Sequence, residues 1–318
     1  MGVSSVRVAA IDCGTNSIRL LIADVVEGRL RDVHREMRIV TLGEGVDATG
    51  QFAPAALART EAALSDYASV MRECGVDKVR MVATSATRDA GNRDEFFAMT
   101  ARVLGAVVPG AVAEVISGTE EAALSFLGAI GELDPAAGPF IVVDLGGGST
   151  ELVLGDSDGA GPTASFSANI GCVRITERHL HSDPPTAEEV AAARAFVRDR
   201  LAEALAAVPV AQARTWVGVA GTFTTLAALA LGLSEYDSDR IHLSRNAISD
   251  IVRVSEELIA MPREQRAKLG PMHEGRVPVI GGGAIVVEEL ARELAQRAGI
   301  SELVVSEHDI LDGIALSL

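Results

Sequence analysis

The residues of this chain best suited to chemistry lie in two similar polar turns, each of which follows an apolar run that closes on an aspartate. Asp12 precedes the turn 13–17, and Asp144 precedes the turn 145–150, which leads into Glu151. Each copy has the pattern of a buried strand, a tight turn and a second strand. Small turn residues let backbone N–H groups approach a phosphate, and a strand-end aspartate can hold a divalent cation beside it. The repeat therefore predicts two related domains, each with a phosphate-binding hairpin.

The glycine-rich turn 146–148 matches neither of the common nucleotide-binding motifs. The chain has no Gly-x4-Gly-Lys-Ser/Thr motif, and the dinucleotide pattern requires a helix where a strand is expected, after Glu151. A single turn of this kind is more often only a tight turn than a ligand site. Its repetition at a matching position favours phosphate binding.

The composition excludes several classes of function. The net charge is −16, from 28 basic and 44 acidic residues, so the long-range field repels nucleic acids and anionic membrane surfaces. A phosphate ligand must therefore be attracted by a local site. The three cysteines, Cys13, Cys74 and Cys172, suit neither a disulfide framework nor a metal cluster, which indicates a reducing cytoplasm.

A membrane span is not expected. The uncharged stretch 215–234 is long enough to raise the question, but its glycines and threonines divide it into a short strand, a loop and a helix. The N-terminus leads directly into a strand, without a basic region and an apolar signal core. We therefore expect no nucleic-acid partner, no membrane partner and a cytoplasmic location.

The first domain is expected to hold a mixed sheet covered by helices. Hydrophobic patterning predicts strands at about 6–12, 18–25, 30–38, 78–84 and 113–116, and helices at 54–74 and near 93–104. A polar loop that contains Arg88 is expected after the fourth strand. Ser117 and Glu120 have capping-box spacing, which predicts a further helix from this point.

The second domain is expected to repeat this plan. The segment 134–139 is the expected linker, with domains at 1–130 and 131–306 and a final helix, 307–318, that packs back on the first. Strands are predicted near 140–144, 151–154 and 164–170, and helices near 174–181 and 186–208. Two further passages of strand, glycine loop and helix are predicted, at 217–226 and from 277 onward, before a last strand at 303–306.

Four strings resemble those of the exopolyphosphatase and guanosine pentaphosphate phosphatase (Ppx/GppA) family: IDCGTNS (11–17), ATSATRDA (83–90), SGTEEA (117–122) and DLGGGSTEL (144–152). That family lies within the superfamily of actin, Hsp70 and sugar kinases. The resemblance covers nearly the whole chain and is greatest to the short, two-domain members. It implies an α/β fold of two actin-like (ribonuclease H-like) domains, with mixed sheets flanked by helices and a cleft between them.

The resemblance also implies roles for individual residues. It carries the catalytic glutamate onto Glu121, which would act as general base toward an attacking water, whereas Glu120 caps its helix. Asp144 and Glu151 would hold Mg²⁺ or another hard divalent cation, directly or through water, with Asp12 as their pseudo-symmetric counterpart. The residues expected around the scissile phosphate are Asn16, Ser17, Gly146, Gly147, Gly148, Ser149 and Thr150.

Several of these residues have plainer explanations that stay open at this point. Acidic residues in the first turn of a helix also oppose the helix dipole. Asp12 could stabilise its own turn, and Arg88, which the resemblance makes a bidentate phosphate clamp, could be solvated. The motifs at Gly221-Thr222 and at 281–283 occupy places where superfamily relatives contact nucleotide, although they could serve packing alone.

The activity implied is a Mg²⁺-dependent exopolyphosphatase that releases terminal orthophosphate from inorganic polyphosphate, in a homodimer. Thr41 stands where relatives often have arginine and Pro278 where they often have aspartate, which weakens contacts at these positions. With the acidic composition, this predicts that short chains are favoured. The alternatives are hydrolysis of guanosine pentaphosphate, phosphotransfer to an acceptor and an actin-like nucleotide sensor; Glu121, placed for water, argues against transfer.

Overall fold

The computed structural model describes residues 6–157, 159 and 161–318, which form two compact units. Unit 1 comprises the described residues up to Gly128 together with Ile310–Leu318, and unit 2 comprises those of Ala129–Asp309. The chain therefore passes from unit 1 to unit 2 after Gly128 and returns at its last helix. The segment 134–139, expected as the linker, lies within unit 2.

Unit 1 contains a five-stranded mixed sheet, made of β1 (Val6–Cys13), β2 (Ser17–Val26), β3 (Arg29–Ile39), β4 (Lys78–Ala83) and β5 (Glu114–Val115). The strand order is β3-β2-β1-β4-β5. The first three strands form an antiparallel meander, while β4 is parallel to β1 and β5 is parallel to β4. Glu27 and Gly28 join β2 to β3 with φ values of 52° and 75°, the left-handed conformation that a two-residue hairpin turn requires.

The helices of this part of the chain are α1 (Val46–Thr49), α2 (Pro54–Cys74), α3 (Ser85–Asp89), α4 (Arg93–Gly105) and α5 (Gly118–Ile130). Helix α2 begins at Pro54, whose missing N–H is harmless in a first turn. It ends before Gly75, which adopts φ 66° and donates its N–H to the last turn of the helix.

Unit 2 repeats the same plan in a six-stranded sheet, made of β6 (Phe140–Leu145), β7 (Thr150–Gly155), β8 (Pro162–Ala168), β9 (Thr215–Val219), β10 (Ser244–Ala247) and β11 (Glu302–Val305). The order is β10-β11-β9-β6-β7-β8. Strands β6, β7 and β8 form an antiparallel meander, and β9 is parallel to β6. The sequence repeat is therefore also a structural repeat, which confirms the expected α/β class with two mixed sheets.

The remaining helices are α6 (Cys172–His179), α7 (Ala187–Ala207), α8 (Gly221–Ala230), α9 (Ser238–Ile241), α10 (Ile248–Ala260), α11 (Arg263–Arg266), α12 (Ile280–Ala298) and α13 (Ile310–Leu316). Short 3₁₀ turns lie at Pro135–Ala137, Val210–Gln212 and Glu274–Arg276. Within the part of the chain that the structure describes, no helix has the length and apolar character needed to span a membrane.

The central strand of unit 1 is buried on both faces because its side chains alternate between two cores. Ala9 and Ile11 belong to the core that α2 and α4 cover, whereas Val8 and Ala10 face the opposite core, which α13 covers. This explains why residues 8–11 of β1 form a continuous apolar run. Helix α13 is held at close range: a Cβ at Gly313 would lie 2.0 Å from a backbone oxygen of α5.

Three local predictions are wrong, each for a physical reason. Arg88 lies on helix α3 and not in a loop, because the backbone carbonyl of Thr84 starts a helical turn in a sequence with no apolar period. No strand forms from residue 277; glycines 281–283 are in the first turn of α12. The capping box is half formed: Ser117 Oγ accepts the N–H of Glu120 at 3.2 Å, but the Glu120 carboxylate pairs with an arginine of β4.

Candidate active site

The first polar turn, residues 13–17, is fixed by hydrogen bonds that its backbone carbonyl groups accept from neighbouring backbone N–H groups. The N–H of Gly14 donates to the carbonyl of Ser17 at 2.9 Å, which closes the turn between β1 and β2. The carbonyls of Thr15 and Asn16 accept backbone N–H groups of the segment 40–43 at 2.8 to 3.0 Å. Thr15 Oγ1 and Asn16 Oδ1 are buried and have no hydrogen-bond partner among the described residues. Buried polar atoms of this kind normally have partners, so the turn fits a polar ligand.

The second polar turn is closed in the same way, by the N–H of Gly146 donating to the carbonyl of Ser149 at 3.0 Å. Its carbonyls are tied to the first turn of α6: Gly146 accepts from Cys172, Gly147 from Val173 and Arg174, and Gly148 from Arg174 Nε, all at 2.8 to 3.1 Å. The N–H groups of Gly147 and Gly148 have no acceptor in the described chain. An array of free N–H groups on a fixed backbone is suited to phosphate oxygens.

Gly171 is what lets α6 approach this turn. A Cβ at Gly171 would lie 2.4 Å from the carbonyl carbon and oxygen of Gly147 and 2.6 Å from the nitrogen of Gly148. Real side chains do not tolerate such distances, so glycine is required here by close approach of two backbones. The signal in the sequence is weak, because the dipeptide Gly171-Cys172 contains no charged or polar group.

Two buried carboxylates stand opposite each other beside the second turn. Asp144 on β6 and Glu151 on β7 are cross-strand partners, so their side chains share one face of the sheet. They are 6% and 1% exposed. Ser167, the partner of Glu151 on β8, donates its hydroxyl to Glu151 Oε1 at 2.7 Å. Two carboxylates directly opposite and out of water repel each other, and a hard divalent cation with oxygen ligands fits this donor set.

In the first copy of the repeat, an arginine side chain faces the strand-end aspartate and compensates its negative charge. Asp12 on β1 has Arg19 on β2 as its cross-strand partner, and Arg19 donates to Asp12 Oδ2 from Nη2 at 2.7 Å and from Nε at 3.1 Å. Arg19 thus stands where Glu151 stands in the second copy. The prediction missed this residue, although alignment of the two copies already places Arg19 opposite Asp12.

Glu121 and Arg88 form a buried ion pair in unit 1. Glu121, in the first turn of α5, is 8% exposed, and Arg88 Nη1 donates to its Oε2 at 2.6 Å and to the carbonyl of Ile116 at 3.1 Å. Burial raises the pKa of Glu121 to about 7; Arg88 and Thr84 act against this rise, and the nearby charge of Asp12 adds to it.

The neighbouring glutamate has a different environment. Glu120 Oε1 accepts a hydrogen bond from Arg80 Nη2 at 2.6 Å, and its side chain is 45% exposed. Of the two adjacent glutamates, Glu121 is the buried one, and its raised pKa suits acid–base chemistry near neutral pH.

The glycines at 221 and 281–283 serve close packing in this structure. A Cβ at Gly221 would lie 2.6 Å from Nε of Arg276, whose Nη1 donates to Thr225 Oγ1 at 2.9 Å. A Cβ at Gly282 or Gly283 would lie 2.6 Å from oxygen atoms of α6 and α8 respectively. The face of each glycine is thus filled by the protein's own atoms.

One further cluster in unit 2 has the composition of a metal site but a different chemistry. Glu132, His242 and His308 bring their ligand atoms within 4.8 Å of one another. However, His242 Nδ1 accepts the backbone N–H of Glu307 at 3.1 Å, so the proton of the neutral ring lies on Nε2, 2.8 Å from Glu132 Oε2. This proton occupies the position that a metal would need.

The structure therefore gathers the predicted residues into two sets. Unit 1 holds Asp12, Asn16, Ser17, Arg88 and Glu121, and unit 2 holds Asp144, Glu151 and the turn Gly146, Gly147, Gly148, Ser149 and Thr150. Thr150 Oγ1 donates to the carbonyl of Ile170 at 2.6 Å, which fixes the end of the second turn. Sequence alone did not point to Arg19, Ser167, Gly171 and Arg174, which support these two sets.

Comparison with known proteins agrees with this arrangement. The model of the Ppx/GppA phosphatase family matches residues 21–318. Exopolyphosphatase 2 of Mycobacterium tuberculosis is 66% identical over 316 residues, which is 98% of each chain. The crystal structure of an exopolyphosphatase-like protein is 44% identical, with a TM-score of 0.93 over 98% of this chain and 97% of that one. A guanosine-5'-triphosphate,3'-diphosphate pyrophosphatase of Aeromonas salmonicida is 31% identical over 283 residues, 88% of this chain and 53% of that protein. By sequence and by fold, this chain belongs to the Ppx/GppA phosphatase family.

Proposed function

We propose that this protein is an exopolyphosphatase that releases the terminal orthophosphate of inorganic polyphosphate by direct attack of water. The observation that carries the proposal is Glu121, a buried carboxylate whose pKa of about 7 lets it accept a proton at neutral pH. The relative that is 66% identical over 98% of both chains carries the name exopolyphosphatase, which supports polyphosphate as the substrate.

In the proposed reaction, the water oxygen forms a bond to the terminal phosphorus as the bond to the bridging oxygen breaks. Glu121 takes the proton of the water, and the bridging oxygen leaves as the new end of the shortened chain. Arg88 keeps the carboxylate oriented through its bond to Oε2 and adds positive charge where phosphate oxygens gather. In unit 2, the N–H groups of Gly147 and Gly148 would bind phosphate oxygens.

A hard divalent cation, Mg²⁺ in the first instance, completes the proposal. Asp144 and Glu151 would hold it, and it would neutralise charge on the phosphoryl group. Ser167 supports this set because its hydroxyl fixes one oxygen of Glu151. Asp12 stays a proposed metal ligand, with the difference that Arg19 already engages one of its oxygens.

We further propose that short polyphosphates are favoured over long ones. Each bound phosphate unit needs its own cationic or N–H contact, and a net charge of −16 opposes the approach of a long polyanion. At Thr41, the oxygens are occupied by the protein itself: Arg59 Nη2 donates to Thr41 Oγ1 at 2.7 Å and to Glu44 at 2.8 Å. Because Arg59 pairs with side chains of this loop, its positive charge does not replace the arginine that relatives often have at position 41.

Guanosine pentaphosphate hydrolysis is the second candidate, and the Aeromonas relative favours it by its name. The same general base and the same turns would serve it, because only the group that carries the phosphates differs. The free cysteines at 13, 74 and 172 suit a reducing compartment, so we propose a cytoplasmic enzyme; a homodimer is proposed on family resemblance alone.

The test is phosphate release, measured side by side from polyphosphates of several lengths and from guanosine pentaphosphate with added Mg²⁺. Efficient release from polyphosphate, as kcat/KM, is expected. Release of phosphate from guanosine pentaphosphate alone would identify the protein as a guanosine pentaphosphate phosphatase. Transfer of phosphate to an added acceptor, in place of its release, would rule out hydrolysis as the reaction. ATP-dependent conformational change without turnover of any of these substrates would indicate a sensor.

A further inference from the structure

Helix α13 contacts α5, the helix that carries the proposed base, at the buried residue Gly313. A Cβ at Gly313 would lie 2.0 Å from the backbone oxygen of Leu124, 2.7 Å from its carbonyl carbon and 3.0 Å from its Cα. Glycine is unfavourable inside a helix relative to alanine, and this close approach to a backbone is the reason that it is needed here. Leu124 follows Glu121 by one helical turn, so the contact lies one turn from the base.

Helix α13 is anchored to the sheet of unit 1 by side chains of two strands. On β3, Arg35 donates to both carboxylate oxygens of Asp312, from Nη2 to Oδ1 at 2.5 Å and from Nη1 to Oδ2 at 3.2 Å. Asp312 precedes Gly313 and is 4% exposed. On β4, Arg80 Nη1 donates to the hydroxyl of Ser317, directly after the helix, at 2.7 Å. Because breaking a buried ion pair is costly, α13 does not retreat easily from α5.

The place of the Glu121 carboxylate follows the place of α5. The N–H of Glu121 donates to the carbonyl of Ser117 at 2.9 Å, within the first turn of that helix. The partner of its carboxylate, Arg88 Nη1 at 2.6 Å, is carried by a different helix, α3. A shift of α5 therefore moves the base relative to Arg88. A misplacement of about 1 Å that originates far from the chemistry can lower a rate by roughly 100-fold.

We propose that Gly313 is a positioning residue for Glu121. Its missing side chain lets the anchored helix α13 set the place of α5, and with it the place from which the carboxylate accepts the proton of the attacking water. The inference rests on the proposed function of Glu121. Gly313 contacts neither substrate nor base, and it acts through the backbone of α5 at Leu124.

The test is a double-mutant cycle of Gly313→Ala and Glu121→Gln, measured by steady-state kinetics on a short polyphosphate. Since α13 is anchored, the added methyl group should displace α5. We expect Gly313→Ala to lower kcat by roughly 10- to 100-fold with KM changed less than about 3-fold, because misplacement of a base affects the chemical step. In the Glu121→Gln background the same change should cost less than about 2-fold, because there is no base left to position.

The matched control is Gly270→Ala in unit 2. A Cβ at Gly270 would lie 1.7 Å from the backbone oxygen of Ser234, so this variant creates the same kind of backbone clash away from α5. It should lower the unfolding temperature but leave kcat within about 2-fold.

Thermal unfolding shows which variants are folded. If Gly313→Ala is not, Asp312→Asn takes its place in the cycle, because it keeps the shape of the side chain and removes the ion pair with Arg35 that anchors α13. A kcat lowered by at least about 3-fold is then expected, again only where Glu121 is present.

The outcomes separate this inference from the proposed function. If Glu121→Gln is as active as the unmodified protein, the proposed base is wrong. If Glu121→Gln has lost most of its activity but the α13 variant keeps full kcat, or loses the same factor in both backgrounds, Gly313 serves packing alone and the inference fails. A loss of kcat in Gly270→Ala as large as that in Gly313→Ala would also overturn it.

Discussion

At the scale of single residues, the two copies of the repeat differ in the charge that faces the strand-end aspartate. In unit 1 the residue opposite Asp12 is Arg19, and in unit 2 the residue opposite Asp144 is Glu151. The first pair joins opposite charges, whereas the second places two carboxylates on one face of the sheet, where the proposed cation would bind. A repeat that begins as one motif has therefore acquired two electrostatic roles through a single position.

The first prediction concerns the general base. Glu121→Gln keeps the shape of the side chain and removes proton acceptance, so kcat should fall by roughly 10² or more, while KM changes little. Glu120→Gln is the control, because Glu120 is exposed and pairs with Arg80. The measurement is steady-state kinetics on a short polyphosphate. Equal activity of the two variants would show that Glu121 is not the general base.

The second prediction concerns pH. Because burial raises the pKa of Glu121 to about 7, kcat/KM should rise with pH and level off above that value. Between the unfolded pKa of 4.5 and about 7, the folded state binds more protons than the unfolded state, so this group lowers stability as pH rises.

That effect on stability can be isolated by comparison with Glu121→Gln, in which all other titrating groups are the same. The free energy of unfolding of the unmodified protein, relative to the variant, should fall by roughly 1–3 kcal/mol between pH 5 and pH 8. Denaturant titrations at the two pH values measure it. A relative stability that rises over this interval would contradict a raised pKa.

The third prediction concerns the cation. Asp144→Ala and Glu151→Gln should each weaken Mg²⁺ binding by at least about 10-fold, measured by calorimetry on protein without substrate. Asp12→Asn should weaken it less, because Arg19 already occupies Asp12 Oδ2. An Asp12 variant that binds Mg²⁺ as poorly as the Asp144 variant would show that the arginine does not replace the ion. Excess chelator should abolish phosphate release.

At the scale of elements, the approach of α6 to the second polar turn depends on one glycine. Gly171→Ala would place a methyl group 2.4 Å from the backbone of Gly147, so the turn must move. We expect kcat/KM to fall by at least about 10-fold and stability by roughly 1–3 kcal/mol. Gly105→Ala, at the end of α4 with open space around the new methyl group, is the control and should be neutral or slightly stabilising.

The strands and the long helices were predictable from sequence because each is a local pattern. The helix Pro54–Cys74 and the apolar runs that end at Asp12 and Asp144 lie where the patterns place them. The segment from 235 to 276 was left without prediction, and it contains α9, β10, α10 and α11. Strand β10 is four residues long and is stabilised by pairing with β11, which lies about 60 residues later in the chain. No local sequence pattern therefore predicts it.

The candidate site was predictable where residue type carries the chemistry. Glu121, Asp144 and Glu151 are charged residues in recognisable strings, and all three are buried in the structure, while their roles stay predictions. Ser167 and Gly171 were missed because their contribution is contact geometry: a hydroxyl that donates to the Glu151 carboxylate, and an absent side chain. Neither property can be read from one residue and its neighbours in sequence.

At the scale of the whole molecule, the acidic composition predicts how the enzyme handles substrate length. A net charge of −16 repels a polyanion more strongly as the polyanion lengthens, and salt screens this repulsion. We expect kcat/KM on short polyphosphates to equal or exceed that on chains of hundreds of units, with the difference reduced at high ionic strength. A marked preference for long chains at low salt would refute this.

The return of the chain to unit 1 through α13 has a consequence for synthesis on the ribosome. Unit 2 lies within one continuous stretch, whereas unit 1 needs residues from both ends of the chain. A nascent chain that has reached Asp309 therefore contains all of unit 2 but lacks the helix that covers Val8, Ala10 and Leu21 on one face of the first sheet. Until the last residues emerge, that apolar face stays open to solvent and to chaperones, so the unit synthesised first is the last that can be completed.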